Sequence, residues 1–358
     1  MINRDNLLIA ASTYFLISVL MVFLSRYTRL ENPSAIKVSE PVLLLYDGGT
    51  LAELPAIMRE NGIEFDENEL QWASRILGWG SFRSGRYVLE PTMSYEAFLG
   101  KLVRGLQDPT RIVIGAGLEQ ERLITRVANQ FRFTAHELRS AMNDPDVLAE
   151  LDMEPHHLIG RILPNSYEMF WTASPEQFLK RMLQEFDRLV TDPYFDRIAE
   201  LGMTVDEITT LGSIIEWEVR FVDEKPRVSG LYWNRLRIGM RLQADPTVNY
   251  AIGERRRLLN SDYLVNHPYN TYRINGLPPG PLNNPRISSI EAALYPESHN
   301  YFFMVATPEG YHTFTRTYDE HLRESRKWTN WLREQRQIRQ QREAAAAINA
   351  QTDVAQGR

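Results

Sequence analysis

The hydrophobic positions of this chain change period several times, and each change predicts a different element. Leu7 to Leu24 is an uninterrupted run of 18 uncharged residues, with Ser12, Thr13, Tyr14 and Ser18 as its only polar members. As a helix it would extend about 27 Å, close to the thickness of a bilayer core. It lacks the polar face of a core helix, and Ser25-Arg26-Tyr27 is not a small-x-small cleavage signal. The pattern therefore predicts a retained anchor over 1–25, followed by a linker over 26–38. Pro41 to Tyr46 reads as a strand, and Asp47-Gly48-Gly49 as a turn. Thr50 with Glu53 has capping-box spacing for a helix carrying Leu51, Leu54, Ile57 and Met58 on one face. Further helices are predicted over Glu67–Leu77 and Ser94–Arg104, with a short strand at Gly85–Leu89 between them. This small αβ unit spans 39–108.

Beyond it, Arg111–Ile114 reads as a strand. Leu118–Phe195 reads as mostly helical, with interruptions at Pro164-Asn165-Ser166 and Ala173-Ser174-Pro175. Thr204 and Glu207 form another capping-box pair, opening a helix expected to reach Lys225, where Pro226 would stop it. Tyr301–Ala306 and Tyr311–Thr315 alternate around Pro308-Glu309-Gly310 as a hairpin. From Arg323 the chain is a polar helix, and Ala344–Arg358 reads as a frayed tail. The fold class is thus α+β: an N-terminal transmembrane helix, a small αβ subdomain, and a larger mixed catalytic domain over 109–325, with 326–358 as polar helix and tail.

Composition narrows the function. The net charge of -6 and pI near 5.8 lack the basic footprint of a nucleic-acid binder. The absence of cysteine excludes disulfides, thiol catalysis and cysteine-ligated zinc. Seven histidines form no H-E-x-x-H or comparable cluster, so no metal or cofactor is expected. Charge does not set the orientation of the anchor: Arg4 precedes the span, and Arg26 and Arg29 follow it.

The candidate chemistry lies in Leu211–Arg220. On a helix, Leu211, Ile214, Ile215, Val219 and Val222 form an apolar stripe, and Glu218 falls on it at i+7. Glu216, two residues earlier, points roughly 200° away. An acid on a core-facing stripe resists ionisation and can donate a proton, as cleavage of a glycosidic bond requires. The pattern alone equally allows a structural Glu218 paired with a buried Arg235. Polar and aromatic residues in the loops that follow suit sugar binding, or simply turn chemistry.

These segments resemble the MltG (YceG-like) endolytic murein transglycosylases. The matching blocks are Leu163–Tyr167, Ser213–Glu218, Asn234-Arg235-Leu236, Gly239–Thr247, Tyr269–Tyr272, Gly276–Pro281 and His312-Thr313-Phe314. The resemblance implies a LysM-like subdomain at 39–108 and a YceG-like catalytic domain on the outer face of the inner membrane. It implies Glu218 as the catalytic acid, and a cleft shaped by Asn234, Gln243, Asp245, Asn270 and Tyr272. The expected reaction cleaves the MurNAc–GlcNAc bond of nascent strands and leaves 1,6-anhydroMurNAc ends. Peptidoglycan strands, the membrane and cell-wall synthases are the expected partners. Val219 departs from the Thr or Ser that often follows the acid, and Trp217 from the Lys between the two acids. A hydrolytic muramidase using Asp245, and a non-catalytic glycan-binding membrane adaptor, remain as alternatives.

Overall fold

The computed structural model describes the backbone of residues 4–355 and the side chains of residues 6–343. The chain divides into two compact units. The first runs to Val113 and takes in Val127–Ala135 and Ser166–Ser174; the second comprises Ile114–Arg126, His136–Asn165 and everything from Pro175 onward.

Helix α1 (Arg4–Leu30) opens the first unit. Its large apolar side chains from Leu7 to Leu24 are exposed, and the helix is long and apolar enough to cross a bilayer. The first three residues of the expected anchor lie outside the described residues. The expected linker is shorter than its composition indicates. The helix continues to Leu30, and Ile36–Val38 forms strand β1, with Ile36 wholly buried. β1 lies between β4 (Ile63–Glu64) and β7 (Thr92–Met93), antiparallel to both. Two further antiparallel pairs join β2 (Val42–Leu45) to β6 (Gly85–Val88), and β3 (Gly49–Thr50) to β5 (Ser81–Phe82).

Around these strands pack α2 (Leu54–Glu60), α3 (Glu67–Leu77) and α4 (Tyr95–Arg104). Asp66 caps α3 by accepting from the amides of Asn68 and Glu69, and Ser94 caps α4 through the amide of Ala97. Thr50 is not the cap of α2. It sits in β3 and donates from Oγ1 to Glu53 Oε1 (2.8 Å), while Pro55 occupies the first turn, where its missing N–H costs nothing. Leu43, Leu54, Met58, Tyr87, Phe98 and Leu102 join Ile36 in one core.

The unit is not contiguous in sequence. β8 (Thr110–Val113), close to the strand expected at Arg111–Ile114, pairs antiparallel with β9 (Ser166–Met169), which falls in the stretch expected to be mostly helical. Trp171 meets Tyr46 edge-on at 4.9 Å, and Arg132 donates to the Tyr46 carbonyl.

The second unit is mainly helical. It begins with α5 (Gln120–Ala128), α6 (Ala135–Ala141), α7 (Pro145–Glu150) and α8 (Leu158–Arg161). Next, α9 (Pro175–Phe186) runs through a π segment into α10 (Asp192–Leu201). At the centre is α11 (Val205–Glu218), opened by the Thr204–Glu207 capping box. Every residue from Ile208 to Ile215 is buried, so this helix has no solvent face there. Its polar members are satisfied internally: Thr209 donates to the Val205 carbonyl and Ser213 to that of Thr210. Gly212 lets α14 (Ile287–Leu294) approach closely, since a Cβ there would lie 3.3 Å from Ile290 Cα.

α11 ends at Glu218, not at Lys225. Val219 is extended (φ -117°, ψ 125°), and Pro226 sits in the first turn of α12 (Lys225–Arg237), where proline starts a helix and does not stop one. α13 (Asp245–Ile252) follows. The hairpin of β10 (Phe303–Ala306) and β11 (His312–Thr315) has its register set by Ala306 opposite His312. The closing helix α15 starts at Tyr318 and keeps helical backbone to Ala355, where the sequence suggests fraying. Residues 356–358 of that expected tail lie outside the described residues.

Candidate functional site

Because α11 stops at Glu218, this carboxyl hangs from the helix's C-terminal end into a cleft of about 480 Å³ in the second unit. α12 contributes Arg235 to the walls, the turn before α13 contributes Gln243, α13 itself contributes Asp245, and the segment beyond α13 contributes Tyr263 and Tyr272. The hairpin adds Phe303–Ala306 and His312, and α15 adds Tyr318, His321, Ser325 and Trp328.

Glu218 is only half-buried as a residue, yet its Oε2 is inaccessible and has no hydrogen-bond partner. Burial, then the negative charge of Asp245, push its pKa up to about 8. The Tyr232 hydroxyl and the Arg235 charge offset this in part, although no hydrogen bond of normal geometry joins Tyr232 to the acid. The free carbonyls at the end of α11 act in the same direction as burial, because a helix C-terminus disfavours a carboxylate. Glu218 therefore carries a proton at neutral pH. A second buried orphan, His321 Nδ1, lines the same cleft, and burial followed by the Arg235 charge holds this imidazole neutral. Two unsatisfied buried polar atoms in one cleft are what a polar ligand would satisfy.

Arg235 is not the partner of Glu218. Its guanidinium donates to the carbonyls of Phe302 (2.7 Å, from Nε) and Leu242, fixing the hairpin and the turn before α13. The buried ion pair belongs to Glu216. Its carboxylate receives Lys225 Nζ at 3.1 Å and Ser289 Oγ at 2.6 Å, and also pairs with Arg286. Trp217, between the two acids, donates to the Gly117 carbonyl at 2.9 Å and lies under the Arg255 guanidinium. Val219 packs into the main core with 4% exposure, so its position is filled by packing.

Asp245 is the first residue of α13, and its carboxylate accepts from Tyr272 (2.7 Å) and, more weakly, from Tyr263 (3.3 Å). Burial and this charge push the Tyr263 phenol up to about 12 and the Tyr272 phenol further still, so both stay protonated donors. Gln243 lines the cleft from a left-handed backbone (φ 48°), a conformation that costs a non-glycine residue about 1 kcal/mol and gathers at functional sites.

Two expected cleft residues do not reach the cleft. Asn270 is wholly buried. Its Nδ2 donates to the carbonyls of Tyr263 and Val265, and its Oδ1 accepts from the Tyr272 amide. Asn270 therefore shapes the loop that carries both tyrosines. Asn234 donates to the carbonyls of His299 and Tyr301, which secures the approach to the hairpin. The proline-rich loop from Gly276 is also structural. It leads into Leu282 and Asn283, which donate to Ser213 Oγ and Ser213 O and so lock the middle of α11. Tyr263 and the α15 residues were not singled out in the sequence. The only trace of the latter is the i, i+3, i+7, i+10 spacing of Tyr318, His321, Ser325 and Trp328 on a polar helix.

The YceG-like family model matches residues 44–327. An endolytic murein transglycosylase of Bacillus subtilis is 27% identical over 298 residues, covering 78% of this chain and 82% of that protein. One of Streptococcus pneumoniae is 23% identical over 310 residues, covering 77% of this chain and 56% of that longer protein. The crystal structure of a YceG-like protein from Listeria monocytogenes superposes with a TM-score of 0.55 at 28% identity. It covers 79% of this chain and 98% of that one.

Proposed function

From the premise that this chain belongs to the YceG-like family, we propose that it is a murein lytic transglycosylase with Glu218 as its acid and base. The observation that carries this reading is the environment of Glu218: one protonated carboxyl, unpartnered at Oε2, at the end of a buried helix and opening into a cleft. Two relatives named for the same activity support it.

The chemistry follows from having one free acid. Glu218 donates its proton to the oxygen joining MurNAc C1 to the next GlcNAc, and that bond breaks. The developing positive charge at C1 is faced by the Glu218 carboxylate now formed, and by Asp245. The MurNAc C6 hydroxyl then bonds to C1 and passes its proton to Glu218. The acid is regenerated, a 1,6-anhydro ring is left, and no water is consumed. Asp245, held by two tyrosine hydroxyls, serves as a fixed charge and not as a base for water. Gln243 and Tyr272 meet the sugar, while Asn234 and Asn270 act through the loops they brace.

Helix α1 is read as a single-pass anchor in the inner membrane, with both units on its outer face. The αβ unit around β1 is read as a LysM-like glycan binder, and nascent strands and their synthases as the surroundings. The deciding experiment digests purified peptidoglycan with the full chain in detergent and separates the products by chromatography and mass spectrometry. Anhydro ends are expected. Reducing ends would assign a muramidase with Asp245 as base, and an unchanged digest would leave only a glycan-binding adaptor.

A further inference from the structure

Trp328 belongs to two cavities. It closes one side of the Glu218 cleft, and it also lines a neighbouring pocket of about 330 Å³ between the hairpin and α15. Val305 and Ala306 are shared in the same way, so the two spaces adjoin along β10. Trp331 lines the second pocket. Its ring lies nearly parallel to that of Trp328, with centroids 4.9 Å apart and 13° between planes. Glu324 and Lys327 stand beside them, joined at 2.7 Å, and Pro308 and Glu309 of the hairpin turn close the far side.

Partly exposed parallel indoles cost free energy in water unless something covers them. Flat apolar surfaces edged by charged hydrogen-bonding groups match a pyranose ring, which has apolar C–H faces and a rim of hydroxyls and amides. The family model ends at residue 327, so both tryptophans lie just beyond the matched residues.

Resting on the peptidoglycan reading above, we infer that the Trp328–Trp331 pocket is a second sugar subsite, binding a hexosamine ring of the same strand at a distance from the bond cut at Glu218. Occupying both spaces requires more strand than the Glu218 cleft alone can hold. The subsite would therefore favour cutting within long strands over cutting short fragments.

The test compares kcat/KM on long, uncrosslinked glycan strands with that on fragments just long enough to fill the Glu218 cleft. Full chain in detergent is used, as parent, Trp331→Ala and Trp331→Phe. The long-over-short preference should fall about fivefold in the alanine variant, the usual weight of one stacked ring, and return for the most part in the phenylalanine variant. An unchanged preference in Trp331→Ala overturns the subsite. A second arm needs no catalysis: β-1,4-linked N-acetylglucosamine oligomers are titrated into Glu218→Gln protein, with and without Trp331→Ala, by intrinsic tryptophan fluorescence. Weaker binding in the double variant supports the subsite; equal binding, or none in either, overturns it. If the parent cuts no strand at all, the transglycosylase reading falls and this second arm alone decides the subsite.

Discussion

Two acids stand two residues apart at the end of one helix, and their surroundings are opposite. Glu216 has 3% of its side chain exposed and is fully engaged by Lys225, Ser289 and Arg286. Glu218 has a buried oxygen without a partner. Burial alone does not make a carboxyl reactive; burial without compensation does, because only then is the proton held at neutral pH. The 100° step of the helix does the sorting, turning one acid towards α14 and α12 and the other into the cleft.

The largest effect should come from removing the uncompensated acid. Glu218→Gln keeps the shape and loses the proton, and strand cleavage should drop at least about a hundredfold. The comparison would be reversed by a Glu218→Gln enzyme that still cuts strands beside a well-folded but inert Glu216→Gln. The compensated acid should instead matter to folding. Glu216→Gln leaves Lys225, 2% exposed at its side chain, without its carboxylate, which should cost about 3 kcal/mol in a denaturant melt. Activity per folded molecule should change little.

A finer test uses pH. As the proposed acid, Glu218 can act only while protonated, so activity should fall as pH rises through about 8. Asp245→Asn removes the second-largest cause of that raised value, so the falling limb should move to lower pH with the anhydro product retained. A limb that stays in place would mean that the Asp245 charge does not reach Glu218. The same shift has a consequence for stability. The unfolded chain ionises this group near 4.5 and the folded one near 8. The folded protein therefore loses stability as pH rises across that window, and has lost the full amount above pH 8. Glu218→Gln is free of this penalty and should melt above the parent at alkaline pH, by at least about 1 kcal/mol.

What could be read from the sequence was mostly local. The apolar stripe from Leu211 singled out Glu218, and the caps at Ser94 and Thr204 and the hairpin around Gly310 carry their own short-range chemistry. What could not be read depends on partners far along the chain. β1 and β9 are strands of three and four residues that exist only through pairing with β4, β7 and β8. Val222 continues the apolar stripe in the sequence, yet the helix ends at Glu218 and Val222 is exposed. Pro226 has the same identity whether it stops one helix or starts the next. Asn234 and Asn270 look like sugar-binding amides in a list of residues. Only the carbonyls they meet, up to 67 positions away, reveal them as braces.

The early start of β1 leaves a leash. Between the end of α1 at Leu30 and Ile36 lie five residues, Glu31–Ala35, which fully extended could span no more than about 18 Å. Even that slack is partly taken up. Arg29, in the last turn of α1, pairs with Glu69 at 2.6 Å and lies 3.9 Å over the Trp72 ring, both on α3. With α1 in a bilayer, as proposed, the N-terminal unit has a working radius of a few nanometres at most and stays close to the membrane surface. Lengthening this tether would extend the reach of the unit from the membrane while leaving the cleft itself unaltered.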